Sequence, residues 1–259
     1  MSLTYKQLAI IGAVLLLLGL IGFVSCGREK NQGVSFPDPM LEAAIRSGIR
    51  SQFADHRQFN SPIRTEELLI VKHIDLPTKG VSTMEGLQYC PNLETVFLSG
   101  NRIRDLTPLS GLRKLSTLDL ADNLITDLSP LAGLKQLNKL DLSMNKIVDI
   151  SPLRGLPQLV SLDLKHNQIL DLTPLTFIKS LRELDLSSNK LSDISKLTAL
   201  TGLTKLSLKH NRIRDIGPLV NVLGVSSRLV LEIEENSTDN YIQQEHIKKL
   251  RSYGVTVVE

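Results

Sequence analysis

The chain has 259 residues, 42% hydrophobic and 22% charged, with a formal charge of +3; that composition belongs to a globular protein and excludes a disordered tail. There is no Trp and only 6 Phe and 4 Tyr, so the core must be aliphatic, and the small net charge leaves no bulk footprint for nucleic acid. The two cysteines, Cys26 and Cys90, exclude a disulfide framework and a cysteine-only zinc site.

The first element is an uncharged apolar run, Leu8 to Val24, preceded by Lys6. Its 17 residues sit at the lower limit for crossing a ~30 Å hydrocarbon core at ~1.5 Å per residue, so length alone does not separate a signal peptide from an anchor. The junction Val24-Ser25-Cys26 resembles the lipobox of bacterial lipoprotein precursors, with Phe23 where Leu is commonest. That resemblance implies transfer of a lipid to Cys26 and cleavage before it. Two or three acyl chains then give stable tethering, at ~0.8 kcal/mol per buried methylene. A retained single-pass anchor and a cleaved secreted form are the alternatives, and all three place the body outside the cytoplasm. In a Gram-negative cell, Gly27 after the cysteine implies outer-membrane delivery. Residues 1–25 are thus read as signal peptide or membrane anchor, and 26–35 as a polar tether.

Residues 36–62 predict a helical N-terminal cap, because Leu41, Ala44, Ile45 and Ile49 recur at helical spacing after a Pro-rich start. A second short helix is expected near Thr65 to Leu69 and a degenerate strand near His73 to Leu76.

Beyond it, Asn101, Asn123, Asn145, Asn167, Asn189 and Asn211 are spaced by 22 residues each time. Around them runs the frame Leu-x-x-Leu-x-Leu-x-x-Asn-x-Ile-x-Asp-Leu-x-Pro-Leu, as in Leu115 to Leu131. Paired leucines such as Leu140 and Leu142 suit the inward face of a short strand, and one coil alone cannot bury them, so the coils must stack. The period identifies a leucine-rich repeat, and residues 63–236 resemble the 22-residue class of internalin-like bacterial surface proteins and of a eukaryotic phosphatase-regulator family. The expected fold class is α/β: a leucine-rich-repeat solenoid with a right-handed curved parallel sheet, short 3-10 turns on the convex side and helical caps at both ends.

Each ladder Asn is expected to turn inward and satisfy backbone groups at the strand end. In the first coil Lys79 stands where the Asn is expected. The pairs Thr107-Pro108, Ser129-Pro130, Ser151-Pro152 and Thr173-Pro174 read as helical N-caps whose hydroxyls accept an N–H. The column Asp105, Asp127, Asp149, Asp171, Asp193 and Asp215 reads as turn acceptors. After Asn211 the frame slips by three residues to Leu231–Asn236, and residues 237–259, a polar helix near Asp239 to Ser252 and then Val255 to Val258, form the C-terminal cap.

The candidate binding surface is the solvent side of the strands, where Phe97, Asp119, Asp141, Asp163 and Asp185 stand between inward leucines, with Lys139, Lys165, Lys205 and Lys209 on the same face. Neighbouring aspartates ~5 Å apart repel and raise one another's pKa values. The row reads either as a strip for a cation or basic partner, or as a repeat consensus screened by solvent; a flat row supplies no calcium cage. His166 and His210, two coils apart, are too distant to share a metal. Cys90 reads as a buried small hydrophobe. Catalytic and nucleotide-binding motifs are absent from the sequence. The expected function is a non-enzymatic, monomeric, membrane-tethered module with no cofactor and no metal, binding another protein through its concave face. An envelope scaffold, or a regulatory subunit docking an enzyme such as a phosphatase, is the alternative.

Overall fold

The computed structural model describes residues 33–52, 61–222, 228–236 and 241–259. The Leu8 to Val24 run and the Ser25-Cys26 junction lie outside them. The body spans Gly33–Glu259, and Val34 bridges to Ile63 at its start.

The N-terminal cap helix, α1, runs Pro39–Gln52. Its start is set by Asp38, whose Oδ1 accepts the N–H of Met40 and Leu41 at 3.0 and 3.2 Å, with Pro39 at the first position where a missing N–H costs nothing. Asp38 also ties the helix to the first coil, since its Oδ2 accepts Ser82 N–H at 3.0 Å. Leu41, Ile45 and Ile49 are buried and close the end of the core. Phe36 lies over Gly86, where a Cβ would collide with the ring, and the φ of 105° at that position is itself open mainly to glycine. A single turn, α2 (Thr65–Leu68), follows.

Nine short strands then stack in chain order: β1 (His73–Asp75), β2 (Thr95–Phe97), β3 (Thr117–Asp119), β4 (Lys139–Asp141), β5 (Ser161–Asp163), β6 (Glu183–Asp185), β7 (Lys205–Ser207), β8 (Val230–Glu232) and β9 (Thr256–Val258). All neighbours are parallel, and the register steps by one repeat, as in Leu118↔Leu140 and Leu140↔Leu162. Between β7 and β8 the step lengthens, with Leu206 opposite Leu231. The slip is taken up in a connection that holds α3 (Gly217–Val222) where earlier coils carry a 3-10 turn. Each coil buries the same set, for example Leu112, Leu115, Leu118, Leu120, Ile125, Leu128 and Leu131, all at most 1% exposed. Stability is therefore built from like interfaces repeated along one axis.

The asparagines form a ladder aimed backwards along the stack. Asn145 Nδ2 donates to Leu120 O in the preceding coil at 2.9 Å and to Leu142 O and Ser143 O in its own at 3.1 and 3.0 Å, while its Oδ1 accepts Ile125 N–H from the preceding coil at 3.0 Å. Because each Asn serves the coil before it, the first coil has nothing to serve, and Lys79 is tolerated there. The slipped frame still ends in a ladder member, Asn236, which reaches back to Leu208 O and Ile213 N.

The residue before each ladder Asn adopts a left-handed backbone: Gly100, Asp122, Met144, His166, Ser188, His210 and Glu235 all have positive φ. Only glycine enters that region freely; other residues pay about 1–2 kcal/mol. Met144 is exposed and has φ 55°, so Met144→Gly removes strain and little packing. The substitution is expected to stabilise the fold by about 0.5–1 kcal/mol, the relief being partly offset by glycine's unfolded-state entropy. Denaturant unfolding checks this, and an unchanged or lowered midpoint would refute it.

The turn caps differ from expectation. Thr107, Ser129, Ser151 and Thr173 are the first residues of their 3-10 turns, and no side chain caps them from the preceding Leu106, Leu128, Ile150 and Leu172. The acceptor is the aspartate column: Asp105, Asp127, Asp149 and Asp171 Oδ1 each accept the N–H two residues on at 2.8 Å. The serine hydroxyls donate rather than accept, Ser129 Oγ to Asp127 at 2.8 Å and Ser151 Oγ to Asp149 at 2.9 Å. A carboxylate takes both donors of a Ser or Thr at this distance, which a hydroxyl cannot do for itself. Bonds from Thr107 and Thr173 hold Asp105 and Asp171 below the ordinary carboxylate range.

The C-terminal cap is α4 (Tyr241–Ser252) and β9. The helix buries Gln243, Ile247 and Leu250, and Gln243 Oε1 accepts Ile216 N–H at 2.9 Å, so a side chain of the cap satisfies a backbone group of the last coil. Cys90 is fully buried and unpaired, and burial pushes its thiol up to about 12, leaving it inert at neutral pH.

Candidate functional site

In a short strand with inward Leu at its centre, the residues on either side face outward. They form two rows across the sheet. One contains Thr117, Lys139, Ser161, Glu183 and Lys205, and the other contains Phe97, Asp119, Asp141, Asp163, Asp185 and Ser207. The structure brings the four aspartates into direct register, as Asp119↔Asp141, Asp141↔Asp163 and Asp163↔Asp185. Glu232, opposite Ser207, and Asp75, opposite Phe97, extend the row.

The aspartates are not idle solvent-facing groups. Asp119, Asp141, Asp163 and Asp185 each turn Oδ1 onto the backbone N–H two residues on, at 3.0, 2.9, 2.8 and 2.8 Å, and all four are only partly exposed. This closes the strand end and explains why the repeat keeps Asp here. Asp163 has its pKa raised to about 6, first by burial and then by the charges of Asp141 and Asp185, against the lowering hydrogen bond from Lys165 N–H. Repulsion along the row is thus real but secondary to desolvation.

The lysines divide. Lys209 Nζ lies 2.7 Å from Glu234 and 3.3 Å from Glu232, and those contacts hold its ammonium above the ordinary range. It is an internal ion-pair partner rather than an open binding group. Lys139, Lys165 and Lys205 form no ion pair among the described residues, so the nearness in sequence of Lys139 to Asp141 and of Lys165 to Asp163 does not become a side-chain ion pair; Lys165 meets Asp163 through its backbone N–H instead. Phe97 stands on the open face, 36% exposed, between Asp75 and Asp119.

His166 and His210 occupy the left-handed positions before the ladder asparagines, a backbone role that their spacing did not reveal. Among the described residues no three His, Cys, Asp or Glu side chains converge on one point, and no helix is long and apolar enough to cross a membrane.

Parallel coils, an Asn ladder and an outward row of polar side chains define a leucine-rich-repeat solenoid. Leucine-rich-repeat family models match residues 91–133, 113–169 and 157–213. No curated protein matches at a significant level. Among solved structures, internalin C2 of Listeria monocytogenes is 30% identical, with a TM-score of 0.75 over 86% of this chain and 93% of that one. A second Listeria monocytogenes internalin, InlF, is 31% identical, with a TM-score of 0.73 over 86% of this chain and 69% of that one. A leucine-rich-repeat protein of Leptospira interrogans shares the fold at 23% identity and a TM-score of 0.61, over 79% of this chain and 59% of that one. The chain belongs to the internalin-like leucine-rich-repeat family.

Proposed function

We propose that this chain is a non-enzymatic binding module, held at a membrane outside the cytoplasm by its N-terminal segment, whose concave strand face docks another protein. The observation that carries the reading is the open face itself. Phe97, Lys139 and Lys205 are exposed on it, packed against no core, while neighbouring polar groups are committed to turns or to one another. Curved repeat sheets of this kind supply extended binding surfaces, and aromatics at such faces tend to anchor partners.

The test is crosslinking and mass spectrometry in the native cell, comparing wild type with a Phe97→Ala, Lys165→Glu, Lys205→Glu variant. Loss of a captured partner by the variant is the expected result; identical partners from both would move the site off the concave face and favour a scaffold. The tether has its own arm. Cys26→Ser is expected to abolish lipid labelling and precursor cleavage, and unchanged labelling would overturn the lipoprotein reading.

A further inference from the structure

A cleft of about 390 Å³ opens on the flank beyond the strand ends, lined by Ser192, Asn211, Arg212 and Arg214. It is separate from the strand face described above, and its chemistry is one-sided. Ile213 is fully buried while Arg212 and Arg214 are exposed, as alternation in an extended segment requires. Neither guanidinium has a side-chain hydrogen bond or ion pair among the described residues, and the same holds for the Ser192 hydroxyl. Lys190, one repeat before Arg212, is engaged outside the cleft lining, its Nζ donating to Gln168 Oε1 at 3.2 Å.

The nearby acceptors are turned onto the backbone. Asp193 and Asp215 Oδ1 accept the N–H of Ser195 and Gly217 at 2.8 and 2.7 Å. Asn211 spends its amide on Leu186, Leu208 and Lys209 carbonyls and its oxygen on Leu191 N–H. Among the described residues neither arginine is matched by a side-chain acceptor, and two like charges lining one cleft are relieved by a counter-charge between them. Paired guanidiniums match the oxygens of phosphate or carboxylate two at a time, and the volume is at the small end of the ~300–1,000 Å³ range of ligand pockets.

We propose that the cleft binds an oxyanion, a phosphoryl or carboxylate group carried on a small molecule or headgroup, with Arg212 and Arg214 as the clamp and Ser192 as a further donor. The sequence supplies an internal control, because Arg102-Ile103-Arg104-Asp105 repeats Arg212-Ile213-Arg214-Asp215 five repeats away.

The experiment follows the arginine Nε–H signals by NMR in the full-length chain in neutral detergent, titrating inorganic phosphate and acetate at constant ionic strength. Saturable shifts of Arg212 and Arg214 are expected, weakened at least fivefold at the remaining site signals by R212Q or R214Q alone. R102Q/R104Q is expected to leave them unchanged, and S192A to weaken them about twofold. Vesicles containing phosphatidylglycerol, set against phosphatidylcholine vesicles, separate a lipid headgroup from a free anion as the source. Absence of a saturable shift with every probe, or equal weakening by R102Q/R104Q, would overturn the proposal.

Discussion

Asn145→Ala is expected to destabilise the fold by about 3 kcal/mol. The side chain is 8% exposed and serves four backbone groups, Leu120 O, Leu142 O, Ser143 O and Ile125 N. Alanine leaves Ile125 N–H without a partner between two coils and takes one of two amide donors from Leu120 O, which keeps only Asn123 Nδ2 at 3.1 Å; a buried unpaired peptide group costs about 1–3 kcal/mol and each further lost hydrogen bond about 1 kcal/mol. In a domain of this size each kcal/mol lowers the melting temperature by about 2–4 °C, so a drop near 10 °C follows. Because stability in a solenoid is summed over neighbouring interfaces, the damage should be local. Amide exchange at Ile125 should accelerate, whereas Ile147 N–H, held by Asn167 Oδ1 at 3.0 Å, should stay protected. A loss below about 1 kcal/mol, or equal acceleration at both amides, would show that the ladder is not the device closing the strand ends.

That ladder also marks how far the fold is legible in the sequence. A 22-residue spacing of Asn has one physical solution, stacked coils with inward leucines, and the strands, their register and the convex turns follow from it. Features that depend on which atom of a side chain meets which backbone group were not legible. The role of the Ser129 hydroxyl is one: Asp127 is legible as the turn acceptor, but that Ser129 donates to it rather than capping the turn itself is settled only by geometry. The left-handed backbone at Met144 and His166 is another, because the column mixes residue types that share no visible preference. Lys209 reads from the sequence as an available cation. Its partners Glu232 and Glu234 belong to the slipped coil, where strict 22-residue counting misplaces every position by three. Asp163 was seen as one charge in a row, and its burial, the main source of its shift, emerges only when neighbouring coils are in place.

Asp163→Asn is expected to stabilise the fold at pH 7 by about 2 kcal/mol, with the gain vanishing near pH 4. The folded pKa is raised from 3.8 to about 6, so folding favours the protonated acid. Stability from this group is therefore fully present below pH 3.8 and is lost as pH rises through about 6. A shift of this size corresponds to about 3 kcal/mol, reduced to about 2 for the partial exposure of the carboxylate. Asparagine keeps an oxygen to accept Lys165 N–H, now at 2.8 Å, and removes the charge that burial and the flanking Asp141 and Asp185 oppose. The difference in unfolding free energy between variant and wild type should grow from pH 4 to pH 7 and then level off. A difference independent of pH would mean that the substitution acts through packing or the turn, and not through ionisation. Asp163→Ala separates the two contributions, since it removes the charge and the acceptor together: it should gain less than Asn at pH 7 and fall below wild type at pH 4, where only the lost hydrogen bond remains.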